Sequence, residues 1–215
     1  MSRHEAVSRL ESSGLVAIVR ANSPEGLVEI CQALAEGGVT ATEITLTTPG
    51  ALEAIETAAK QLGGQCLIGA GSVLDGPTAR MAISAGAEYI VCPVTRRDVI
   101  DTAHRYGKAV VPGALTPTEI LNAWEAGADL VKVFPANHFG PRYFKDVLAP
   151  MPQLRLTPTG GVDLDTAADW LAAGAACLGV GSALVKKDLI AAGNWKGITD
   201  LAKRFVAVVE QFRAD

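Results

Sequence analysis

The sequence predicts an α/β fold, a single-domain (β/α)₈ TIM barrel over residues 1–215 with an extra N-terminal helix. Three observations support this prediction: an internal repeat, eight short apolar segments that alternate with amphipathic stretches, and no dinucleotide-binding turn after the first apolar segment. Continuous apolar strands between amphipathic helices are typical of a parallel sheet that is covered by helices. Eight such units in about 200 residues correspond to the smallest TIM barrels.

The internal repeat consists of an amphipathic run, a glycine among small residues, and a short apolar run. Its four copies contain Gly38, Gly86, Gly127 and Gly174, at intervals of 41 to 48 residues. Glycine ends helices because it tolerates a left-handed backbone, and the β-branched residues that follow favour a strand. Each interval accommodates two strand–helix units, so that the repeat predicts eight units in total.

The predicted strands share a strand-like length and an apolar, β-branched composition, and helical patterns fill the intervals between them. An open doubly wound sheet is the alternative architecture. We prefer the barrel because the first strand leads into a polar loop, residues 20–24, and not into a Gly-x-Gly-x-x-Gly turn. The strands are predicted near residues 15–20, 41–46, 66–70, 88–92, 108–112, 129–134, 154–158 and 176–180.

Composition argues against several classes of function. The formal net charge of −4 disfavours nucleic acid as the main partner, because binding to a phosphate backbone requires a basic surface. No apolar run has the length of a membrane span, and the first residues lack the apolar core of a signal peptide. The four cysteines form no Cys-x-x-Cys pair, so neither a zinc knuckle nor a disulfide framework is expected. We therefore expect a cytoplasmic protein with reduced thiols and no membrane partner.

Lys132 is the most unusual residue of the predicted strands. It interrupts residues 129–135, which otherwise have the pattern of a buried strand, and a lysine in such a strand is costly unless it is paired. A structural interpretation is that its amine extends to the end of the barrel or forms a stiffening ion pair. A chemical interpretation is that burial disfavours the ammonium form and leaves an amine that attacks a carbonyl group.

Glu43 likewise interrupts the second predicted strand, close to its C-terminal end. In a structural role it would balance the charge of Lys132 or Arg20. In a catalytic role it would move protons to and from a bound intermediate. One carboxylate beside Lys132 could do both, although its negative charge would oppose the effect of burial on the amine.

Two glycine-rich turns predict a phosphate site. TIM barrels commonly bind phosphate at the loops after strands seven and eight, where glycines let backbone N–H groups approach an anion. Glycine turns are common elsewhere, so the prediction depends on both loops occurring together. The residues concerned are Gly160 and Gly161 after the seventh strand, and Gly181 and Ser182 after the eighth.

Other candidates lie at the remaining strand ends. Arg20 either forms a salt bridge at the rim or binds a carboxylate or phosphate. Ser72 either caps a turn or donates to a substrate carboxylate. Pro93 and Phe134 either pack the barrel or form an apolar wall of the site. The three histidines lie far apart in the sequence, which disfavours a transition-metal site, and the sequence contains no recognisable catalytic triad.

Taken in order, four segments resemble the family of 2-keto-3-deoxy-6-phosphogluconate (KDPG) and 4-hydroxy-2-oxoglutarate aldolases. The resemblance extends from Leu15 to about Lys187. It implies a class I aldolase without metal or other cofactor, in which Lys132 forms an imine with the keto acid and Glu43 shuttles protons. The segments that carry it are residues 43–46, 68–73, 131–135 and 158–162.

The resemblance also implies roles for the surrounding residues. Ser72, where the family usually has threonine, would contact the pyruvate carboxylate, and Thr159 would lie beside the aldehyde portion. Such enzymes are typically homotrimers that release pyruvate and an aldehyde such as glyceraldehyde 3-phosphate from a phosphorylated keto acid. The distal phosphate would be bound by Gly160, Gly161, Gly181 and Ser182.

One departure leaves the sugar epimer open. Many KDPG aldolases carry an arginine four residues after the catalytic glutamate, where this chain has Thr47. The related 2-keto-3-deoxy-6-phosphogalactonate aldolases lack that arginine and have one at the end of the first strand, as Arg20 is here. Two other functions remain open: a phosphosugar isomerase or epimerase that uses Glu43 as a base, and a non-catalytic barrel that binds a phosphorylated metabolite.

Overall fold

Strands and helices mostly alternate along residues 1–214, the part of the chain that the computed structural model describes; the fifth strand is followed directly by the sixth, and the last two elements are both helices. The strands are β1 (Leu15–Val19), β2 (Ala41–Thr45), β3 (Leu67–Gly71), β4 (Tyr89–Val91), β5 (Ala109–Val111), β6 (Gly113–Ala114), β7 (Val131–Val133), β8 (Leu156–Pro158) and β9 (Leu178–Val180). The helices are α1 (Arg3–Ser13), α2 (Leu27–Glu36), α3 (Ala51–Leu62), α4 (Gly76–Ser84), α5 (Arg97–Arg105), α6 (Pro117–Glu125), α7 (Pro141–Leu148), α8 (Ala167–Ala172), α9 (Lys187–Ala191) and α10 (Trp195–Ala214).

The strands form a curled parallel sheet. Six of them are hydrogen-bonded in the order β5-β4-β3-β2-β1-β9, and three others in the order β6-β7-β8. Only Pro112 separates β5 from β6, because proline has no N–H to donate to the ladder. Isolated parallel bridges link Leu156 to Ala175 and Thr159 to Gly179, next to β8 and β9. The α/β class is confirmed, and every predicted strand overlaps an observed one. The fifth, predicted near residues 108–112, overlaps β5, and the strand resumes beyond Pro112 as β6, outside the predicted range.

The glycines of the internal repeat follow helices, as predicted. Gly38, Gly86, Gly127 and Gly174 have φ between 90° and 109°, in the region that side chains other than glycine rarely adopt. Each of them directly precedes a turn into β2, β4, β7 or β9. The repeat in the sequence therefore marks four equivalent helix-to-strand connections.

The parallel register aligns one residue from each of five neighbouring strands. Ile18 is paired with Glu43, Glu43 with Gly69, Gly69 with Tyr89, and Tyr89 with Ala109. Aligned residues of neighbouring strands project to the same face of a sheet. The row brings a charged residue and an aromatic residue to one level of the inner face, on either side of a glycine.

Helix α1 packs on the amino-terminal ends of the strands. Leu10 of α1 belongs to a buried apolar cluster with strand residues that include Val16 and Leu67. Arg3 pairs with Asp129, at 2.8 Å between Nε and Oδ1, and Asp129 also accepts a hydrogen bond from the N–H of Val110. This end of the sheet is thus closed, and the opposite, carboxyl-terminal end is left for ligands. Within residues 1–214, no helix combines the length and the apolar character needed to cross a membrane.

Candidate active site

Lys132 and Glu43 lie side by side on the inner face of the sheet. Lys132 belongs to β7 and is 7% exposed, whereas Glu43 belongs to β2 and is 2% exposed. The Lys132 Nζ and Glu43 Oε1 atoms are 4.0 Å apart, which is longer than a hydrogen bond. The amine therefore has a counter-charge nearby and is not hydrogen-bonded to it. The two strands are distant in the chain, and only the curl of the sheet brings them together.

Gly71 at the end of β3 makes room for the carboxylate of Glu43. A Cβ atom at position 71 would lie 1.8 Å from Glu43 Oε1 and 2.4 Å from its Cδ. The carboxylate thus extends from β2 across β3, towards the carboxyl-terminal end of the strands. No side chain other than hydrogen fits beneath it without moving it.

A cleft of about 510 Å³ opens at the carboxyl-terminal end of the strands. It brings together seven of the residues that the sequence predicts for the site, including both glycine-rich turns. Backbone N–H groups and one arginine are suited to bind an anion there. The seven are Arg20, Phe134, Thr159, Gly160, Gly161, Gly181 and Ser182.

The cleft shares lining residues with the cavity that contains Lys132 and Glu43. A small cavity of about 20 Å³ inside the sheet is lined by both of these residues and by Tyr89 and Thr157. Thr159 lines this cavity as well as the cleft above it. The Lys132 amine also lies 5.4 Å from the centre of the Phe134 ring, and Phe134 lines the cleft. A ligand that extends from the cleft past Thr159 would therefore approach the amine and the carboxylate.

The turn after β8 is shaped by its glycines. Gly160 and Gly161 have φ of 92° and 75°, which lets two consecutive residues turn away from the strand. Thr159, which precedes them, donates its N–H to the Val133 carbonyl and accepts from the Ala136 N–H, at 3.0 and 2.9 Å. The turn is thereby tied to the segment that follows Lys132.

Arg20 follows β1, and its side chain is exposed to solvent in the cleft. The next residue, Ala21, donates its N–H to Oγ1 of Thr48 at 3.2 Å. Thr48 is 3% exposed and also bonds to Thr45 at 3.3 Å. Two buried threonines therefore fix the backbone next to Arg20. Thr47, by contrast, is not among the residues that line the cleft.

Four predicted residues do not line the cleft: Lys132 and Glu43, which line the small cavity, and Pro93 and Ser72. Pro93 lines a separate cavity of about 370 Å³, together with Leu115, and Phe134 lines both that cavity and the cleft. Ser72 directly follows β3, is half-buried, and lines neither space. Its φ of 60° is uncommon for a residue other than glycine and is often found at functional positions.

Sequence reasoning missed two residues at this site. Lys187, the first residue of α9, lines the cleft and adds a second cationic side chain to it, but a lysine in a polar stretch of sequence usually lies in solvent. Tyr89 lines the small cavity, but an aromatic residue in a strand usually packs in the core. Burial and the negative charge of Glu43 raise the pKa of Tyr89 well above its usual value. Within residues 1–214, no group of three or more His, Cys, Asp or Glu side chains is placed to hold a metal ion.

Comparisons with known proteins agree with this geometry. The family model "KDPG and KHG aldolase" matches residues 6–201. The 2-dehydro-3-deoxy-6-phosphogalactonate aldolase of Escherichia coli (strain K12) is 35% identical over 200 residues, which are 93% of this chain and 94% of that protein. The 2-dehydro-3-deoxy-phosphogluconate aldolase of Treponema pallidum (strain Nichols) is 34% identical over 201 residues, covering 93% of this chain and 95% of that protein.

Solved structures show the same likeness. A structure described as native KDPGal has a TM-score of 0.87 and 33% identity, and the alignment covers 94% of this chain and 96% of that one. The KDPG aldolase of Legionella pneumophila, with pyruvate captured at low pH as a covalent carbinolamine intermediate, has a TM-score of 0.83 and 27% identity. That alignment covers 92% of this chain and 96% of the other.

Proposed function

Because this chain belongs to the KDPG and KHG aldolase family and is therefore an aldolase, we propose that it cleaves a phosphorylated 2-keto-3-deoxy sugar acid through an imine on Lys132. One observation carries the proposal: the buried amine of Lys132 lies 4.0 Å from a buried carboxylate, in a small cavity that shares Thr159 and Gly179 with a cleft lined by two glycine-rich turns. The carbinolamine that pyruvate forms in the Legionella pneumophila relative supports the same chemistry.

Lys132 forms the covalent intermediate. Its uncharged amine attacks the C2 ketone of the substrate to give a carbinolamine, and Glu43 supplies the proton with which the hydroxyl leaves as water, so that a cationic imine remains. The C3–C4 bond then breaks, and its electron pair moves into the imine to form an enamine. Burial of Lys132 keeps bulk water away from the intermediates that form on its amine. The imine itself is the electron sink, so these steps require no further cofactor.

Glu43 moves the protons. Its carboxylate takes the proton of the C4 hydroxyl as the C3–C4 bond breaks and the aldehyde leaves. The same group returns a proton to C3 of the enamine, and water then releases pyruvate and regenerates the Lys132 amine. A carboxylate at 4.0 Å from Nζ is close enough to reach groups bonded to the carbon that the amine attacks.

The remaining cleft residues bind the anionic ends of the substrate. Gly160, Gly161, Gly181 and Ser182 hold the distal phosphate, to which Arg20 contributes positive charge. Thr159 lies between the cleft and the cavity beside the amine, so it contacts the aldehyde portion. Ser72 does not line the cleft, and its proposed role, donation to the carboxylate next to the imine, rests on its position directly after β3. Phe134 lines the cleft and Pro93 the separate cavity beside Phe134, and the two form an apolar wall.

KDPG is the substrate we propose first, with 4-hydroxy-2-oxoglutarate as a smaller substrate. The galactonate epimer is the second candidate, because Arg20 lines the cleft whereas position 47 is an uncharged threonine outside it. Two relatives at 35% and 36% identity, one of them described as probable, carry the phosphogalactonate aldolase name, which also supports this candidate.

Pyruvate release from a panel of keto acids tests the proposal. Each acid is mixed with the protein, NADH and lactate dehydrogenase, and the initial rate is read at 340 nm. We expect turnover of one or both phosphorylated epimers, a slower rate with 4-hydroxy-2-oxoglutarate, and loss of turnover in Lys132→Met. Lys108→Met, which removes a lysine paired with Glu88 at 2.7 Å, is the matched control and should retain activity. Conversion of a phosphosugar without pyruvate would indicate an isomerase or epimerase instead.

We further propose that residues 1–215 form one domain in which the curled sheet closes into an eight-stranded barrel. The bridges between the segments of β8 and β9, and the adjacency of β5 and β6, support closure. The resemblance to this family implies a homotrimer, and Val94 and Phe134, which are 49% and 39% exposed, offer apolar surface for contact between subunits. Light scattering should then give three times the chain mass of 22.3 kDa.

A further inference from the structure

The hydroxyl of Tyr89 is buried and lacks a hydrogen-bonding partner among residues 1–214. Tyr89 is 0% exposed, so the hydroxyl has no access to bulk water. The Oε1 atom of Glu43 is likewise buried and unpartnered within the same residues. A buried polar atom without a partner is costly and therefore uncommon in folded proteins, so two such atoms call for a common explanation.

Tyr89 and Glu43 belong to the same row of the sheet, with Gly69 between them. A Cβ atom at Gly69 would lie 2.3 Å from Cζ of Tyr89, the ring carbon that bears the hydroxyl. The end of the Tyr89 ring that bears the hydroxyl therefore lies over Gly69, the residue that separates Tyr89 from Glu43 in the row. The absence of a side chain at position 69 brings the hydroxyl towards Glu43.

Both unpartnered atoms belong to residues that line the same cavity, together with Lys132 and Thr157. The cavity has a volume of about 20 Å³. About 10–15 Å³ suffices for one water molecule, which needs two to four polar partners. We propose that one water molecule bridges Tyr89 Oη and Glu43 Oε1, and that Tyr89 is a positioning residue for the carboxylate that moves the protons.

The bridge has a defined direction. The Tyr89 hydroxyl donates to the water, and the water donates to Oε1 of Glu43, which leaves the other carboxylate oxygen for the substrate. Tyr89 remains the donor throughout, since burial first and the charge of Glu43 second raise the pKa of Tyr89. Apart from Lys132, the titratable groups around Tyr89 and Glu43 are four buried thiols, and burial raises the pKa of each. They belong to Cys31, Cys66, Cys92 and Cys177.

Tyr89→Phe tests the positioning role, which rests on the proposed function of Glu43. Removal of the hydroxyl should lower kcat for pyruvate release about tenfold and leave KM within about twofold, because only proton transfer is affected. The acidic limb of the pH–rate profile should move to higher pH, since a hydrogen bond that favours the charged carboxylate is lost. Tyr106→Phe, at a residue that is 42% exposed, is the matched control and should change neither.

Two readouts judge the bridge independently of catalysis. Loss of a satisfied buried hydrogen bond should lower the melting temperature of Tyr89→Phe by about 2–4 °C. A crystal structure of the unaltered protein should show a water molecule in hydrogen-bonding distance of both oxygens. If no acid is turned over, the proposed function fails, but these readouts still decide whether the bridge exists.

The inference has clear contrary results. A melting temperature of Tyr89→Phe at or above that of the unaltered protein would show that the hydroxyl has no partner. A lower melting temperature with unchanged kcat and pH profile would show that the bridge is only structural. Should Tyr89→Phe fail to fold, the crystal structure of the unaltered protein decides, and a cavity without a bridging water would overturn the proposal.

Discussion

Gly71→Ala should lower the catalytic rate far more than it lowers the stability of the fold. The added Cβ would lie 1.8 Å from Oε1 of Glu43, whereas such atoms need about 3 Å or more between them, so the carboxylate must move by more than about 1 Å. A displacement of about 1 Å at a catalytic group costs on the order of 100-fold in rate. Overpacking of a buried site typically costs about 1–3 kcal/mol in the free energy of unfolding.

The assay compares kcat for pyruvate release with the midpoint of urea unfolding. We expect kcat to fall by about 100-fold, whereas an unfolding free energy of typical size, about 5–15 kcal/mol, keeps the variant folded. Gly64→Ala is the matched control, because within residues 1–214 no atom apart from those of its two chain neighbours lies within 4 Å of a Cβ at position 64. A Gly71→Ala variant with kcat within threefold of the unaltered protein would refute the placement of Glu43 as the group that moves the protons.

Three further predictions concern the cleft, the thiols and the end of the sheet beneath α1. Arg20→Met should lower kcat/KM for phosphorylated acids about tenfold to 100-fold, and lower kcat/KM for 4-hydroxy-2-oxoglutarate less. Equal losses of kcat/KM for both kinds of substrate would indicate that Arg20 binds the substrate carboxylate and not the phosphate. Burial raises the pKa of Cys92 to about 12 and that of Cys177 to about 11, so that few of these thiols are ionised at pH 8. In the folded protein they should react with a disulfide reagent about 100-fold more slowly than in protein unfolded by guanidinium. Burial, and next the charge of Arg3, lower the pKa of His104, so that on acidification the unfolded chain binds a proton at His104 before the folded protein does. The free energy of unfolding should therefore decrease as the pH drops below about 6.5. Urea unfolding of His104→Asn should show a smaller decrease over the same pH range, and a decrease equal to that of the unaltered protein would contradict this.

The sequence predicts most of the fold because each strand is buried on both faces and therefore appears as a continuous apolar run. The division of the fifth strand follows from Pro112, which lacks an N–H, although apolar pattern alone does not reveal it. Lys132 and Glu43 are identifiable for the opposite reason, since charges inside such runs are rare. Their roles, and those of the other site residues, remain predictions.

The parts of the site that the sequence does not reveal depend on the register of the strands and on the curl of the sheet. The separation of 4.0 Å between Lys132 and Glu43 arises because β7 and β2 face each other across the inner side of the sheet. Tyr89 becomes notable only through the row that it shares with Gly69 and Glu43, and neither periodicity nor composition predicts that alignment. Ser72 was expected at the site from resemblance, but the structure places it beside the cleft without lining it.

Covalent trapping tests the central claim most directly. The protein is incubated with pyruvate and sodium borohydride, digested, and analysed by mass spectrometry for a reduced pyruvate adduct on each lysine. We expect one modified peptide, bearing the adduct at Lys132, and none in Lys132→Met or in samples without pyruvate. If Lys132 stays unmodified in a protein that releases pyruvate, or if the adduct forms on another lysine, the reaction does not proceed through the amine inside the sheet.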